Sequence, residues 1–96
     1  MNPVRNFIRK PWYVYVLKSK KDKFCYTGCT DNLIKRIKEH NLGLVFSTKH
    51  RKPFILIYCE ISFNKFDAFA REKYLKSGMG KRYLKNRLKN YYEKCK

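Results

Sequence analysis

Four side chains in the first half of the chain could do chemistry together. Tyr15 and Tyr26 lie in two aromatic stretches, WYVYVL and FCYT, separated by a lysine-rich turn. Arg36 and His40 stand four apart in NLIKRIKEH, the spacing that puts two side chains on one face of a helix. A guanidinium offers a planar fork of donors to a phosphate, and an imidazole exchanges protons near neutral pH. Phenol hydroxyls beside them can position or relay a proton, although a free tyrosine, with a pKa of about 10, needs neighbouring cations to act as a base. The set suits proton transfer at an anionic group. Each member also has an ordinary use: strand aromatics for the tyrosines, one phosphate contact among many for Arg36, a cation near a helix C-terminus for His40.

The elements around them must bring these groups to one place. Trp12 to Leu17 reads as a strand covered on both faces, and Phe24 to Thr27 as the return strand of a hairpin. Gly28 allows a positive φ or a close backbone approach where that strand ends. Thr30 or Asp31 can cap a first helix, in which Leu33, Ile34 and Ile37 form the apolar stripe with Arg36 and His40 along its border. Asn41 to Pro53 is a loop ending in Lys49, His50, Arg51 and Lys52, either a solvated loop or a phosphate clamp.

Phe54 to Cys59 reads as a third strand, again covered on both faces. Asn64 caps a second helix over Lys65 to Ser77, with Asp67 in the capping-box position. Phe66, Phe69, Ala70 and Tyr74 take one side of it and Ala68, Glu72 and Leu75 the other. Glu72 therefore need not point at open solvent, and its ordinary use is as an i,i+4 partner of Lys76. Gly78 and Gly80 break the chain. A last helix, from about Lys81 to Tyr92, turns Tyr83, Leu84, Leu88 and Tyr91 inward and Lys81, Arg82 and Lys85 outward, where they can meet DNA. The expected fold is α/β (α+β): a small three-stranded, mainly antiparallel sheet flanked by helices, in the order β-β-α-β-α-α. Residues 1–11 form a basic N-terminal arm, 12–92 the domain and 93–96 a C-terminal tail.

Lys and Arg number 24 against 7 Asp and Glu, a net charge of +17. Self-repulsion on that scale calls for a polyanionic partner, and nucleic acid is the first candidate. With 44% hydrophobic and 17% aromatic residues the chain is too apolar to be disordered. No apolar run approaches the roughly 18 residues of a membrane span, and MNPVRNFIRKP has no signal-peptide core. The expected setting is the cytoplasm, in association with the nucleoid and not with a membrane. Four cysteines lack the paired spacing of a zinc site; Cys25 and Cys29 could start one only if Cys59 and a further ligand came close.

In order along the chain stand Tyr13-Val14-Tyr15, Tyr26-Thr27-Gly28, Asn32 to His40, and Ala70-Arg71-Glu72-Lys73. This pattern resembles the GIY-YIG endonuclease superfamily, specifically the small stand-alone bacterial proteins similar to the N-terminal domain of the excinuclease. Four weak motifs in the right order across about residues 12 to 89 make a strong combined signal. The first motif's glycine is Tyr13 here and the second's isoleucine is Thr27, positions that supply no reacting group. The resemblance implies catalytic roles for Tyr15, Tyr26, Arg36, His40 and Glu72, with Gly28 as the motif glycine. Glu72 would hold one divalent metal, Mg²⁺ or Mn²⁺. Asn86 and Asn90 both stand where the family has a late asparagine. The expected activity is metal-dependent hydrolysis of phosphodiester bonds in duplex or branched DNA, with little sequence preference because no major-groove reader is attached, and with a setting in DNA repair or recombination. The alternative is a non-catalytic basic nucleic-acid-binding module that uses the same cations and aromatics.

Overall fold

The computed structural model describes residues 9–94. Most of the expected arm and half of the tail, and with them Cys95, lie outside the described residues. The order is β1 (Trp12–Ser19), β2 (Cys25–Thr30), α1 (Leu33–Asn41), β3 (Phe54–Ser62), α2 (Lys65–Lys76), α3 (Gly78–Arg87) and α4 (Lys89–Lys94). The three strands are antiparallel in the order β2-β1-β3, so the most apolar strand is central and the chemically richer β2 is an edge.

The pleat of β1 sorts its side chains between two layers. Val14 and Val16 pack with Ala68, Leu75, Leu84 and Leu88 of the α2–α3 layer. Tyr15 and Leu17 pack with Phe54, Tyr26 and the α1 residues Leu33 and Ile37 on the other face. Tyr15 thus belongs to the α1 side, opposite Gly28 on β2 and Cys59 on β3.

Local chemistry sets the helix starts. Asn32, and not Thr30 or Asp31, caps α1: its side chain accepts from the Lys35 amide at 3.2 Å, while Thr30 Oγ1 accepts from the Asn32 amide at 3.1 Å. Asp31 pairs instead with Lys10 at 2.8 Å, which ties the end of the expected arm to the domain. Asn64 Oδ1 caps α2 by accepting from the amides of Phe66 and Asp67. The buried side of α2 is Ala68 and Leu75, with Phe66 and Phe69 left exposed.

Three expectations change. The glycines do not break the chain: Ser77 caps α3 by accepting from the Gly80 amide, and both glycines lie in its first turn. Gly80 is there because a Cβ would strike the backbone of Tyr74 and Leu75 where α2 and α3 meet. The single last helix is two, interrupted at Leu88, whose backbone leaves the helical range while its side chain stays buried. Lastly, β3 is an edge strand, with Ile55 and Leu56 partly exposed, and is not covered on both faces. An apolar run alone does not distinguish a central strand from an edge.

Candidate active site

The site forms where β2, the outer edge of the sheet, meets helices from both layers. On the α1 side, Tyr15 Oη lies 3.0 Å from His40 Nε2, and His40 Nδ1 lies 2.8 Å from Thr48 Oγ1. All three side chains are buried. The Thr48 hydroxyl reaches the Val45 carbonyl at 3.5 Å. One assignment satisfies the whole chain: Thr48 donates to Val45, His40 donates from Nδ1 to Thr48, and Tyr15 donates to His40 Nε2. In that tautomer His40 presents its acceptor nitrogen to the tyrosine, the arrangement of a proton relay.

Burial pushes the Tyr15 phenol up to about 12, against the pull of the Arg36 guanidinium; the fields of Tyr26 and Glu72 add to the rise. Burial, and next the charge of Arg36, push His40 down to about 4. At neutral pH the pair is a protonated phenol and a neutral imidazole. The imidazole is a weak acceptor, and the phenol needs a further positive charge beside it before its proton moves onto His40.

Gly28 makes room for this arrangement. A Cβ on Gly28 would overlap Tyr15 Oη and Cζ, so the motif glycine lets the tyrosine's hydroxyl end cross β2. The Tyr26 ring lies 5.0 Å from His40 and 6.5 Å from Tyr15, centroid to centroid, and is partly exposed on the edge strand. Arg36, half-buried, pairs with Glu39 at 3.2 Å and borders a polar cleft of about 360 Å³ that also includes Cys29, Asn32 and Lys35. A phosphate entering that cleft would exchange Glu39 for a charge-assisted, two-pronged contact with Arg36.

Glu72 approaches from the other layer. Its side chain is only 23% exposed, and Lys76 Nζ lies 3.1 Å from Oε2. Its field reaches both Tyr15 and Cys29. Lys76 also stands 5.8 Å from the Tyr26 ring centroid, so it bridges the carboxylate and the second tyrosine. A hard divalent cation that keeps most of its waters needs only one or two carboxylates, and Glu72 suits it: half-buried, acidic, and held by an exposed lysine that can swing away. Among the described residues no three His, Cys, Asp or Glu side chains gather to hold a metal, and Cys25, Cys29 and Cys59 are free thiols.

The expected phosphate contacts separate into groups. Lys81 and Lys85 border a groove beside Tyr26, whereas Arg82 is exposed and outside its lining. Lys52 is exposed, and Lys49 lies 4.9 Å over the Phe46 ring. Arg51 is engaged internally: its Nε is 2.6 Å from Asp22 Oδ2, and its Nη2 donates to the Phe24 carbonyl. Asn86 and Asn90 are both exposed on the last two helices.

Sequence reasoning missed Thr48 and Asn41. Asn41 accepts from the Phe54 amide at 2.6 Å and donates to the Phe54 carbonyl at 3.2 Å, closing the loop that carries Thr48. The only local signal was polar residues flanking the loop's apolar stretch.

A constellation of two tyrosines, an arginine, a histidine and a glutamate on this β-β-α-β-α frame defines a class, and the chain belongs to it: the GIY-YIG catalytic domain family, whose model matches residues 11–89. Within that family it is similar to the UPF0213 proteins. One from Clostridium perfringens is 51% identical over 65 residues, 67% of this chain and 69% of the relative. Another from Staphylococcus haemolyticus is 40% identical over 74 residues, covering 76% and 89%. The solution NMR structure of a UPF0213 protein from Bacillus halodurans is 35% identical, covers 77% of this chain and 81% of its own, and superposes with a TM-score of 0.49. Among the described residues no helix is long and apolar enough to cross a membrane.

Proposed function

We propose that the chain is a divalent-metal-dependent DNA endonuclease that hydrolyses phosphodiester bonds with little sequence preference. The observation that carries this reading is the buried Tyr15–His40–Thr48 chain, aimed at the same strand edge that Arg36 approaches from α1 and Glu72 from α2. A core tyrosine needs no histidine in a fixed tautomer, and a packing arginine needs no open polar cleft.

In this mechanism Arg36 releases Glu39 and grips the scissile phosphate, where it stabilises the charge that develops on the phosphoryl oxygens. Glu72, once released from Lys76, would be the protein ligand of Mg²⁺ or Mn²⁺. When bound, that ion supplies charge neutralisation at the phosphate and help for the leaving oxygen. Tyr15 orients the attacking water with its oxygen while its proton rests toward His40. As the water attacks phosphorus and the bond to the leaving oxygen breaks, the water gives a proton to the Tyr15 oxygen while Tyr15 passes its own to His40, whose ring Thr48 holds in place, and the leaving oxygen takes a proton from solvent. Tyr26, on the exposed side, positions the substrate by a second hydroxyl.

We extend this reading to structure-specific cutting in DNA repair or recombination, and the nucleoid fits the net charge of +17. The rival reading, a non-catalytic nucleic-acid-binding module, draws support from one feature: both Arg36 and Glu72 already have partners of opposite charge. Nicking of supercoiled plasmid and of a labelled branched duplex, with Mg²⁺, Mn²⁺ or EDTA, separates the two. The nuclease predicts products with either metal and none with EDTA. Tight binding with every DNA left intact would select the module.

A further inference from the structure

Next to the site lies a groove that the mechanism does not use. It has a volume of about 1020 Å³ and runs between β2 and the α2–α3–α4 layer. Its floor is apolar, from Val16, Leu75, Leu84 and Leu88. Its rim is cationic, from Lys76, Lys81, Lys85 and Lys89. Three aromatic residues line it: exposed Phe24, and half-buried Tyr26 and Tyr92, the last with its hydroxyl at Cys25 and Lys18 over its ring. Phe24 is 72% exposed and supports no core.

We infer that this groove binds unpaired DNA, so that the preferred substrate carries a single-stranded segment next to the bond that is cut. The inference rests on the nuclease reading and names the substrate class of the same site. Three observations favour a single strand over a duplex. Lys81 and Lys85 stand one helical turn apart on α3, and Lys89, beyond the turn at Leu88, lines the same groove, so that cations follow its side as phosphate contacts would require. A duplex keeps its base faces stacked inside and offers a protein its phosphates, sugars and base edges, whereas an exposed ring such as Phe24 at the mouth of an apolar groove suits the faces of unstacked bases. The groove is also continuous with the chemistry: Tyr26 and Lys76 belong to both. Along β2 the polar cleft meets Cys29 and Thr30, Tyr15 crosses at Gly28, and the groove takes Phe24 to Thr27. That run is about 20 Å long at the usual strand rise of about 3.3 Å per residue, enough for a few nucleotides of one strand.

The test is fluorescence anisotropy in EDTA, where nothing is cut, with labelled oligothymidylate of roughly a dozen nucleotides and a blunt hairpin duplex as probes. Phe24→Ala is chosen because its side chain is largely in solvent, and Lys38→Ala, on the exposed face of α1, is the charge control. Phe24→Ala should weaken oligothymidylate binding about tenfold and leave hairpin binding unchanged. Lys85→Ala and Lys89→Ala should each lower the salt slope for the single strand by about 0.7, and Lys38→Ala should not. Equal losses on both probes, or no loss with Phe24→Ala, would overturn the inference, and tighter binding of the matched oligouridylate would overturn the choice of DNA. The two readings fail separately. Groove-dependent binding by a chain that never cuts leaves the groove standing without the nuclease. A chain that nicks plasmid while Phe24→Ala binds normally leaves the nuclease without the groove.

Discussion

Acidification should destabilise this protein through one buried side chain. His40 is fully enclosed, hydrogen-bonded at both ring nitrogens and held down to about 4 by burial and by Arg36, against an ordinary value of 6.5. Between those values the unfolded chain binds the proton and the folded chain does not, so stability rises with pH across the window and falls on acidification. From about pH 7.5 to about pH 4.5 the difference amounts to about 2.5 kcal/mol. For a domain of this length that corresponds to a drop in Tm of about 10 to 20 °C. Arg51 holds Asp22 down to about 2 and Lys10 lowers Asp31, so their stabilisation is lost mainly below the window, while Glu60, held down against burial by Arg71 and Tyr58, begins to lose its own at the lower end in wild type and variant alike. Urea unfolding at the two pH values, for wild type and His40→Gln, is the assay. Wild type should lose stability by this amount, and the variant, less stable throughout, should lose much less. Should the variant fold poorly, the His40 ring resonance followed by NMR should stay in its neutral position down to about pH 5. An equal loss in both proteins, or a His40 resonance that titrates near its ordinary value, would refute the buried neutral histidine and with it the direction of the relay.

The remaining predictions concern the neighbours of that histidine and the metal site. Gly28→Ala should cost about 1–3 kcal/mol in chemical denaturation and abolish cutting, because the new methyl overlaps a Tyr15 hydroxyl that is buried and pinned to His40 and cannot step aside. Thr48→Val should cost about 1–3 kcal/mol by leaving His40 Nδ1 without a partner in a dry site, and should slow cutting by more than it weakens DNA binding. Lys76→Met should tighten Mn²⁺ binding, measured by calorimetry without DNA, by roughly two- to fivefold, since the exposed lysine that competes for Glu72 contributes up to about 1 kcal/mol to the pair.

The sequence made the frame legible because its signals are local. The strand-turn-strand of Trp12 to Thr27 and the cap at Asn64 act within a few residues, and the order of elements follows from them. The spacing of Arg36 and His40 placed both beside the apolar stripe of α1, and both do approach Tyr15. What stayed hidden depends on contacts distant in the chain. Arg51 reads as one more cation in a basic run, yet its partner is Asp22 in the first hairpin. Thr48 sits in a loop with no periodicity, and only the folded loop, closed by Asn41 on Phe54, brings it to His40. Gly80 reads as a breaker because the pattern cannot show that α2 and α3 approach too closely there for a side chain. The break at Leu88 is equally silent: the apolar spacing continues through it while the backbone turns, and that turn sets Lys89 and Tyr92 on the groove.

In the proposed mechanism Tyr15 and Glu72 act at one phosphodiester bond, the first on the water and the second through the metal. The decisive experiment is single-turnover cleavage of one labelled branched duplex by wild type, Tyr15→Phe and Glu72→Gln purified identically, with DNA binding measured alongside. Both variants should bind DNA within about twofold of wild type and cut it at least about a hundredfold more slowly, the scale on which a positioned acid–base group or a charge-stabilising group acts. Cutting at the wild-type rate by either variant would contradict the mechanism.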